Sequence, residues 1–389
     1  MAPNVNSITL SESVKDTKHQ NGFHGKEVTT KKESSFLSLE SKLVWRNVIV
    51  FILLHIGCFY GFYLCFTTSS YYLYGYTHII AMFGGFGITA GAHRLWSHKA
   101  YKAKLPMRIF LMVCQTLAFQ NSIYEWVRDH RVHHKHTDTN ADPHNSKRGF
   151  FFSHMGWLMM KKHPDVTIKG RTVDMSDLEE DAVVMFQKKH YLTLMPLIAF
   201  VLPALPPYFI WGYSMSSSFF ICSLLRYTVS LHFTWLVNSA AHMWGTRPYD
   251  KNISAVNSLT VAIFANGEGW HNYHHVFPWD YKAAEVGSYG TNYTTCFIDV
   301  FAYFGLAYDL KTVSDELIQQ RCLRTGDGRH RFSKMTIDEN NNTPLTDEDR
   351  EILLKGLDPH KEENMVWGWD DKDMTDHERK LATIYKKSN

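Results

Sequence analysis

The sequence of 389 residues lacks several features that would place it in common protein classes. Its six cysteines are scattered and form no CxxC pair, which suits a reducing compartment and argues against thiolate metal sites. The first 40 residues contain no apolar stretch of the kind that forms a cleavable signal peptide. The net charge is only +3, so the chain lacks the basic profile of nucleic-acid-binding proteins, and we expect no nucleic-acid partner.

Long apolar runs are present, and the charged residues lie between them. Residues 1–40 are rich in Ser, Thr, Lys, Asn and Glu, which predicts a disordered arm. Four later segments are apolar over about the 20 residues that a membrane helix needs, and they form two pairs. The four predicted spans are residues 45–67, 71–92, 192–213 and 216–238.

The distribution of basic residues predicts how these spans are oriented. The turn within each pair contains no Lys or Arg, whereas residues 93–190 and the chain after 247 contain many. Cytosolic loops of membrane proteins carry the excess of positive charge, so both termini and the polar regions are predicted to be cytosolic. Arg226 lies well inside the fourth span, where it either extends toward the lumen or pairs within the bundle.

The predicted fold is an all-α membrane protein in which two helical hairpins lie under a helical cytosolic cap. Residues 41–310 form the membrane domain, and its cap consists of residues 93–190 and 239–310. Residues 311–389 form a charged cytosolic tail without a readable motif. The tail ends in KKSN, whose two lysines are a weak match to a signal for return to the endoplasmic reticulum.

The histidines are concentrated in three groups beside the apolar segments, HRLWSH, HRVHH and HNYHH, with NSAAH between the last two. A lone histidine is most often a surface or core residue, and this reading applies to the scattered ones. They are His55, His78, His154, His163, His190 and His232. Tight clusters at the cytosolic ends of apolar segments are poorly explained by chance, so we interpret them as a metal site. Its candidate ligands are His93, His98, His130, His133, His134, His242, His271, His274 and His275.

Nine imidazoles are too many for one ion but fit a pair of five- or six-coordinate ions. Zinc has no redox chemistry, so a redox-active pair at a membrane surface indicates iron and dioxygen. His130, His133 and His134 have i, i+3, i+4 spacing and are expected to converge on one point. His93 and His98 lie about 140° apart on an ideal helix, so each is expected to serve a different metal unless the helix bends. Possible partners of the ligand N–H groups are Glu125, Asp129, Asp138, Asp142 and Glu268.

The phrases GITAGAHRLWSH, QNSIYEWVRDHRVHH, TWLVNSAAH and NGEGWHNYHH closely resemble the membrane acyl-CoA desaturases of animals, stearoyl-CoA desaturase type. The resemblance extends over residues 45–309, and the detailed choice of residues is similar to that of insect, lepidopteran enzymes. It implies a di-iron centre held by the nine histidines, with Asn238 contacting one metal through water. It also implies an endoplasmic reticulum location, electrons from NADH through cytochrome b5 reductase and cytochrome b5, and reduction of dioxygen to water as an acyl-CoA is desaturated.

The resemblance further implies which residues bind the substrate. A polyanionic CoA head needs cationic and amide groups. The corresponding positions here, with one residue beside the acyl chain, are Asn47, Asn121, Arg128, Asp129, Lys161, Lys162 and Trp235. Counting back by fours from His93 gives Thr89, Gly85 and Ala81 on one helix face. This face either lines the tunnel end or packs against another helix, as small residues often do in membranes.

The sequence leaves the exact reaction open. His136, Asn140 and NISAVN at 252–257 depart from the usual family pattern, which favours a specialised enzyme, such as a Δ11 enzyme of pheromone precursor synthesis, over a general Δ9 type. One alternative is a membrane fatty-acid hydroxylase or alkane oxygenase, which uses similar histidine boxes. A second alternative is a non-catalytic membrane protein with a zinc site. The double-bond position and the preferred chain length do not follow from the sequence.

Overall fold

A computed structural model describes residues 43–68, 70–333 and 365–386 of the chain. The described part is mostly helical, in agreement with the coarse prediction. The arm predicted at 1–40 lies outside the described residues. So does Lys387 of the predicted dilysine signal.

Three helices are long and apolar enough to cross a membrane, and they coincide with three of the four predicted spans. They are Trp45–Thr68, Ala182–Phe209 and Met215–His242. The remaining predicted span, 71–92, is helical throughout but does not meet the same criterion, because tyrosines, glycines and a histidine interrupt its apolar run. The four-span arrangement and its orientation therefore stay predictions.

The first half of the described chain contains one of the three long apolar helices and the segments that carry HRLWSH and HRVHH. Helix α1 is Trp45–Thr68, and α2, Tyr71–Phe86, continues as a π-helix over Gly87–Ser97. The elements that follow are β1 (Lys102–Ala103), α3 (Leu105–Ala118), α4 (Ile123–His136), a 3-10 turn (Ser146–Arg148), a second π-helix (Phe152–Gly156), α5 (Trp157–Met159), α6 (Pro164–Gly170) and α7 (Ser176–Glu179).

Short π-helical stretches interrupt both of the later spans. The first of these spans comprises α8 (Ala182–Pro196), a π-helix (Leu197–Val201) and α9 (Leu202–Phe209). Proline lacks the N–H that an α-helix needs, and the change of helix type comes directly after Pro196. The second comprises α10 (Met215–Phe219), a π-helix (Phe220–Leu225), α11 (Arg226–Asn238) and a 3-10 turn (Ala240–His242).

The rest of the described chain carries HNYHH and includes part of the tail, whose last strand pairs with an earlier one. Its elements are α12 (Leu259–Phe264), α13 (His271–Val276), a 3-10 turn (Tyr289–Thr291), α14 (Tyr293–Tyr303), β2 (Ala307–Tyr308), β3 (Leu310–Val313), α15 (Asp315–Thr325), a 3-10 turn (Arg331–Ser333), α16 (Asp376–Lys380) and β4 (Ala382–Tyr385). The strands of the described residues form two small antiparallel pairs, β1 with β2 and β3 with β4. The described chain is therefore not purely α-helical.

The main apolar core of the described residues lies around α3 and α4. Met107 and Leu111 of α3 are completely buried, as are Ile123 and Val127 of α4, and they belong to the same cluster as Trp96. Full burial of such a side chain contributes roughly 1.5–3 kcal/mol to stability. This core therefore fixes the helix that carries the HRVHH motif against the segment that carries HRLWSH.

Arg226 is buried at the start of α11 and pairs within the bundle, which resolves the two alternatives left by the sequence. Its guanidinium donates to the carbonyl oxygens of Cys222 at 2.9 Å, Ala199 at 2.7 Å and Leu117 at 3.3 Å. A buried cation among apolar helices is costly unless backbone carbonyls or charges compensate it. Arg226 thus joins three segments of the bundle through their backbones.

Candidate metal centre

The π-helix Gly87–Ser97 brings His93 and His98 to the same site. The N–H of His98 donates to the carbonyl of His93 at 3.1 Å, which is the i to i+5 bond of a π-helix. In this wider turn the fifth residue returns to nearly the same face, and the two ring centroids lie 4.7 Å apart. The expectation that the two histidines serve different metals is therefore wrong, because it assumed α-helical geometry.

All nine predicted histidines lie in two adjacent groups, and within each group the candidate ligand atoms lie within 4.8 Å of one another. The five-histidine cluster contains His93, His98, His130, His134 and His274. The four-histidine cluster contains His133, His242, His271 and His275. Both HRVHH and HNYHH contribute to both clusters, so the expectation that His130, His133 and His134 converge on one point is wrong.

The spacing of the imidazole nitrogens fits metal binding. In the five-histidine cluster, Nε2 of His274 lies 2.9 Å from Nε2 of His93 and 3.1 Å from Nε2 of His134. In the four-histidine cluster, Nε2 of His271 lies 3.0 Å from Nε2 of both His242 and His275. Two nitrogens bound at right angles to one ion, with bonds of about 2.1 Å, lie about 3 Å apart. One neutral imidazole has a single N–H, so hydrogen bonds alone do not satisfy a nitrogen that faces two others.

The neutral form is favoured for most of the clustered imidazoles. Burial, followed by the positive charge that neighbouring histidines would carry, lowers the pKa of six of them well below the ordinary value of 6.5. They are His98, His130, His134, His271, His274 and His275. A neutral imidazole offers a lone pair to a metal, so this electrostatic environment favours the ligand form.

Glu268 holds one ligand of the five-histidine cluster from outside. Its Oε2 lies 2.8 Å from Nδ1 of His93, and its Oε1 accepts from Nε and Nη2 of Arg94 at 3.1 and 2.8 Å. Burial raises the pKa of Glu268, but the charges of Arg94 and His93 outweigh this and keep the pKa below its ordinary value. The carboxylate therefore stays ionised and orients His93 with Nε2 toward the cluster.

Asp142 plays the equivalent part in the four-histidine cluster. Its Oδ1 lies 2.9 Å from Nδ1 of His133, and its oxygens also accept from the backbone N–H groups of Asp138 and His144. Burial raises the pKa of Asp142, but His133, His144 and these hydrogen bonds outweigh it and hold the pKa well below its ordinary range. His144 itself is buried with its ring centroid 4.3 Å from that of His133, and sequence reasoning missed it because it lies in no histidine box.

The other predicted carboxylates do not touch the clusters. Glu125 accepts from the hydroxyl of Ser122 at the start of α4, and Asp138 accepts from Ser146. Ligand partners that carry no carboxylate were missed instead. Nδ1 of His242 lies 2.7 Å from Oγ of Ser254, and Nδ1 of His98 contacts the carbonyl oxygen of Trp367 in the tail.

Two cavities adjoin at the clusters. The larger, about 860 Å³, is lined by four cluster histidines and by the predicted tunnel residues Ala81, Gly85 and Thr89. The smaller, about 600 Å³, is lined by Asn47, Asn121, Asp129 and Trp235 among others. The two share five lining residues, which are Gln120, Trp126, His130, Thr234 and Asn238. Space therefore continues on both sides of the His130 imidazole, with Asn238 at the same junction.

The predicted substrate residues divide into lining and supporting positions. The Asn47 side chain lines the smaller cavity and donates to the carbonyl of Leu158 at 2.7 Å. Asp129 is also at the wall, where it pairs with Arg128 at 3.1 Å and with Lys162. Arg128, Lys161 and Lys162 do not line the cavity. Arg128 and Lys162 lie beside its wall through their ion pairs with Asp129.

Gly85 lines the larger cavity and also packs closely against another segment. Both alternatives for the helix face of Ala81, Gly85 and Thr89, cavity lining and helix packing, therefore apply at this position. A Cβ atom at Gly85 would overlap with the side-chain amide nitrogen of Asn266. One turn later, Thr89 accepts a hydrogen bond of 2.8 Å from the hydroxyl of Thr294. A side chain at position 85 would therefore displace the Asn266 amide, in addition to any effect on cavity shape.

Three histidines that the sequence analysis treated as ordinary core or surface residues form a hydrogen-bonded chain. Nδ1 of His154 lies 2.9 Å from the hydroxyl of Ser239, and its Nε2 lies 3.0 Å from Nδ1 of His232. Nε2 of His232 lies 3.1 Å from Nε2 of His55, whose Nδ1 is 2.6 Å from the carbonyl of Phe51. The chain joins α1, α11 and the second π-helix, and it lies outside both clusters.

The neutral state of the buried histidines predicts acid sensitivity of the metal-free protein. A group whose folded-state pKa is below its unfolded value stabilises the fold above the unfolded pKa and loses that contribution as pH falls. The free energy of unfolding is therefore expected to decrease once pH drops below 6.5, by about 1.4 kcal/mol per pH unit for each proton that only the unfolded chain binds. Melting temperatures of chelator-treated protein between pH 8 and 5 measure this. A profile that stays flat or rises toward pH 5 would contradict it.

Comparison with known proteins identifies the family. The model of the fatty acid desaturase family matches residues 69–284. The Acyl-CoA Delta-9 desaturase of Acheta domesticus is 53% identical over 346 residues, 89% of this chain and 87% of that protein. The Stearoyl-CoA desaturase of Homo sapiens is 52% identical, covering 78% and 84% of the two chains, and the Acyl-CoA Delta(11) desaturase of the lepidopteran Trichoplusia ni is 46% identical, covering 88% and 89%.

These relatives confirm the resemblance to insect and stearoyl-CoA desaturases that the histidine motifs carry. Proteins so named are oxidoreductases, and the chain described here belongs to the fatty acid desaturase family.

Proposed function

We propose that this chain is an acyl-CoA desaturase that introduces one double bond into a long-chain acyl-CoA at a pair of iron ions. Dioxygen is the oxidant, and the electrons come from NADH through cytochrome b5 reductase and cytochrome b5. The observation that carries the proposal is the meeting of two cavities at His130, beside two clusters of neutral imidazoles. The enzyme acts in the endoplasmic reticulum membrane with its active site and both termini in the cytosol.

Each cluster would hold one ion. The five-histidine cluster offers five nitrogens, and the four-histidine cluster offers four, with Asn238 supplying a further contact through water. Nitrogen ligands of this kind suit iron, although affinity alone would also admit zinc. When bound, the iron pair supplies the redox chemistry by which dioxygen is reduced to water as two hydrogens leave adjacent methylenes.

The residues that line the two cavities position the substrate relative to the histidine clusters. The smaller cavity, with Asn47 and Asn121 at its wall, suits the polar end of the substrate. Lys162, which pairs with Asp129 at that wall, adds positive charge there, and Lys161 precedes it in the chain. The larger cavity, with a mainly apolar wall, suits the end of the acyl chain. An acyl chain that extends through both passes Trp126 and His130. A fixed path of this kind selects one carbon–carbon bond among many that are chemically alike.

The position of the new bond depends on how far the chain enters the larger cavity. Relatives of similar identity are named for Δ9, Δ11 and Δ12 desaturation, so similarity does not select the position. We propose Δ9 or Δ11, the second with a role in sex-pheromone precursor synthesis. A shift of the chain by one methylene changes the product.

Expression in yeast that lacks its own desaturase, followed by location of double bonds in the total fatty acids, tests the proposal. We expect one new monoene. Hydroxylated chains without a monoene would favour the membrane hydroxylase alternative. A purified protein that contains only zinc after iron-replete expression, with no NADH-dependent turnover, would favour the non-catalytic alternative.

Substitution Ala81→Leu is expected to shift the product toward shorter acyl chains. Ala81 lines the larger cavity, and a leucine side chain would occupy space that the end of the acyl chain needs. Gly75→Leu on the same helix is the matched control, because a side chain there begins in open space. The ratio of C16 to C18 monoenes in the yeast assay measures the effect. An unchanged ratio in Ala81→Leu would show that this face does not limit chain length.

A further inference from the structure

We propose that residues 365–385, near the C-terminus, are a positioning element of the metal centre that holds His98 in the orientation and tautomer needed to bind metal. We call this segment the C-terminal latch. The inference rests on the proposed metal site, and it adds a part of the chain that lies far from every histidine box in the sequence.

The latch contacts His98 through both its side chain and its backbone. The carbonyl oxygen of Trp367 accepts from Nδ1 of His98, and the backbone N–H of Trp369 donates to the carbonyl of His98 at 3.0 Å. Gly368 lies between these two contacts. A Cβ atom at Gly368 would be 2.5 Å from the carbonyl oxygen and 2.7 Å from the Cα of His98. Only glycine lets the two backbones approach so closely.

This arrangement determines which nitrogen of His98 is free. A carbonyl oxygen can only accept, so Nδ1 carries the proton and Nε2 keeps its lone pair. Nε2 points toward the five-histidine cluster and lies 2.9 Å from Nε2 of His130. Outer partners of this type orient metal-bound histidines and raise their basicity. For His98 that partner is a backbone group of the latch.

Basic residues of α4, the helix that carries HRVHH, hold the latch in place. Lys135 follows His134 directly; its ammonium donates to the carbonyl of Met365 at 2.8 Å and pairs with Asp371 at 2.8 Å and with Asp373. The guanidinium of Arg131, one turn earlier, lies 4.0 Å from the centre of the Trp367 ring. The face of α4 next to its ligands therefore binds the latch.

The latch is folded internally and fixed at its far end. Asp371 is 1% exposed, and its Oδ2 accepts from the backbone N–H of Trp367 at 2.8 Å. Arg379 donates to the carbonyl of Trp369 at 2.7 Å, and the strand Ala382–Tyr385 pairs with Leu310–Val313. These bonds hold the Trp367 carbonyl in one direction, so the latch is a preformed partner for His98.

Release of metal from otherwise intact protein tests this role. Full-length protein is loaded anaerobically with Fe(II), transferred to excess EDTA, and sampled over time for iron per chain. Gly368→Ala and Lys135→Met are expected to release one of the two ions about 10–100-fold faster than wild type, because an outer partner of one cluster is displaced. Lys135→Arg should restore retention in part, and Lys372→Met, an exposed lysine within the latch, should match wild type.

Melting temperatures of the metal-free variants distinguish positioning from general stability. Faster release of one ion with a metal-free melting temperature close to that of Lys372→Met supports the proposal. If Gly368→Ala does not fold, the comparison of Lys135→Met with Lys135→Arg carries the test. Equal release rates in all folded variants would overturn the latch and leave the desaturase proposal intact, whereas a wild type that binds no metal pair would overturn the proposed metal centre itself.

Discussion

Replacement of His133 by alanine is expected to abolish monoene formation in desaturase-deficient yeast and to lower bound iron from two ions per chain to about one. His133 belongs to the four-histidine cluster and also lines the larger cavity. Its removal takes away one candidate nitrogen ligand and the ring contact of 2.9 Å to the buried Asp142 carboxylate. Loss of an outer partner alone costs roughly 10–100-fold in metal affinity or activity, so loss of a ligand together with that contact should exceed about 100-fold.

The matched control is His190→Ala, which removes an exposed histidine outside both clusters. Fatty-acid profiles and iron content are measured for both variants at equal protein level. Wild-type monoene levels in His133→Ala would remove His133 from the proposed ligand set. Loss of product in both variants would point to a general effect on expression and not to the site.

Substitution Glu268→Gln is expected to destabilise the protein by about 3–5 kcal/mol, because it removes one charge of a buried pair and leaves the other uncompensated. Arg94 is 1% exposed, and its strongest partner is the Glu268 carboxylate. Glutamine preserves the side-chain volume, so the effect is electrostatic. Since Glu268 also orients His93, retention of metal should weaken roughly 10–100-fold.

Thermal and denaturant unfolding in detergent, with Glu316→Gln at an exposed position as control, measure this effect. The lowered pKa of Glu268 gives the pH dependence its sign. Its contribution is complete above the unfolded value near 4.5 and is lost as pH falls through the lower folded value. The difference between wild type and Glu268→Gln should therefore shrink in acid. A difference that grows as pH falls would contradict the assignment.

Much of the candidate site could be predicted from the sequence because metal ligands are chemically distinctive and closely spaced. The nine histidines followed from residue type and position. Asp142 and Glu268 were two of the five carboxylates that the sequence offered as partners, and it did not distinguish them from the other three. The division of the histidines between two clusters did not follow, because the angular rule for an α-helix fails at the π-helix Gly87–Ser97 and because a single motif contributes to both clusters. Helix type at such a position is decided by tertiary packing, and no local residue pattern in HRLWSH indicates it.

The contribution of the tail could not have been predicted by the same reasoning. Its contact with His98 is made by the backbone carbonyl of Trp367, and every residue has such a group. From the sequence alone, the charged residues of the tail are typical of a solvent-exposed surface. The ion pair between Lys135 and Asp371 is apparent only in the structure. Three of the four predicted membrane helices meet the criteria of length and apolarity. The fourth, residues 71–92, is less apolar, and several of its residues line the larger cavity.

The hydrogen-bonded chain of His55, His232 and His154 contains fewer hydrogens than its contacts need. Each of its contacts is short enough to need one hydrogen between the two heavy atoms. The contacts, in order, are Phe51 carbonyl to His55, His55 to His232, His232 to His154, His154 to Ser239 and Ser239 to the Trp235 carbonyl. Five contacts need five hydrogens, but three neutral imidazoles and one hydroxyl supply four. In its neutral form the network therefore has one contact without a hydrogen. One added proton supplies that hydrogen, so protonation completes the hydrogen bonds of the network and does not break them.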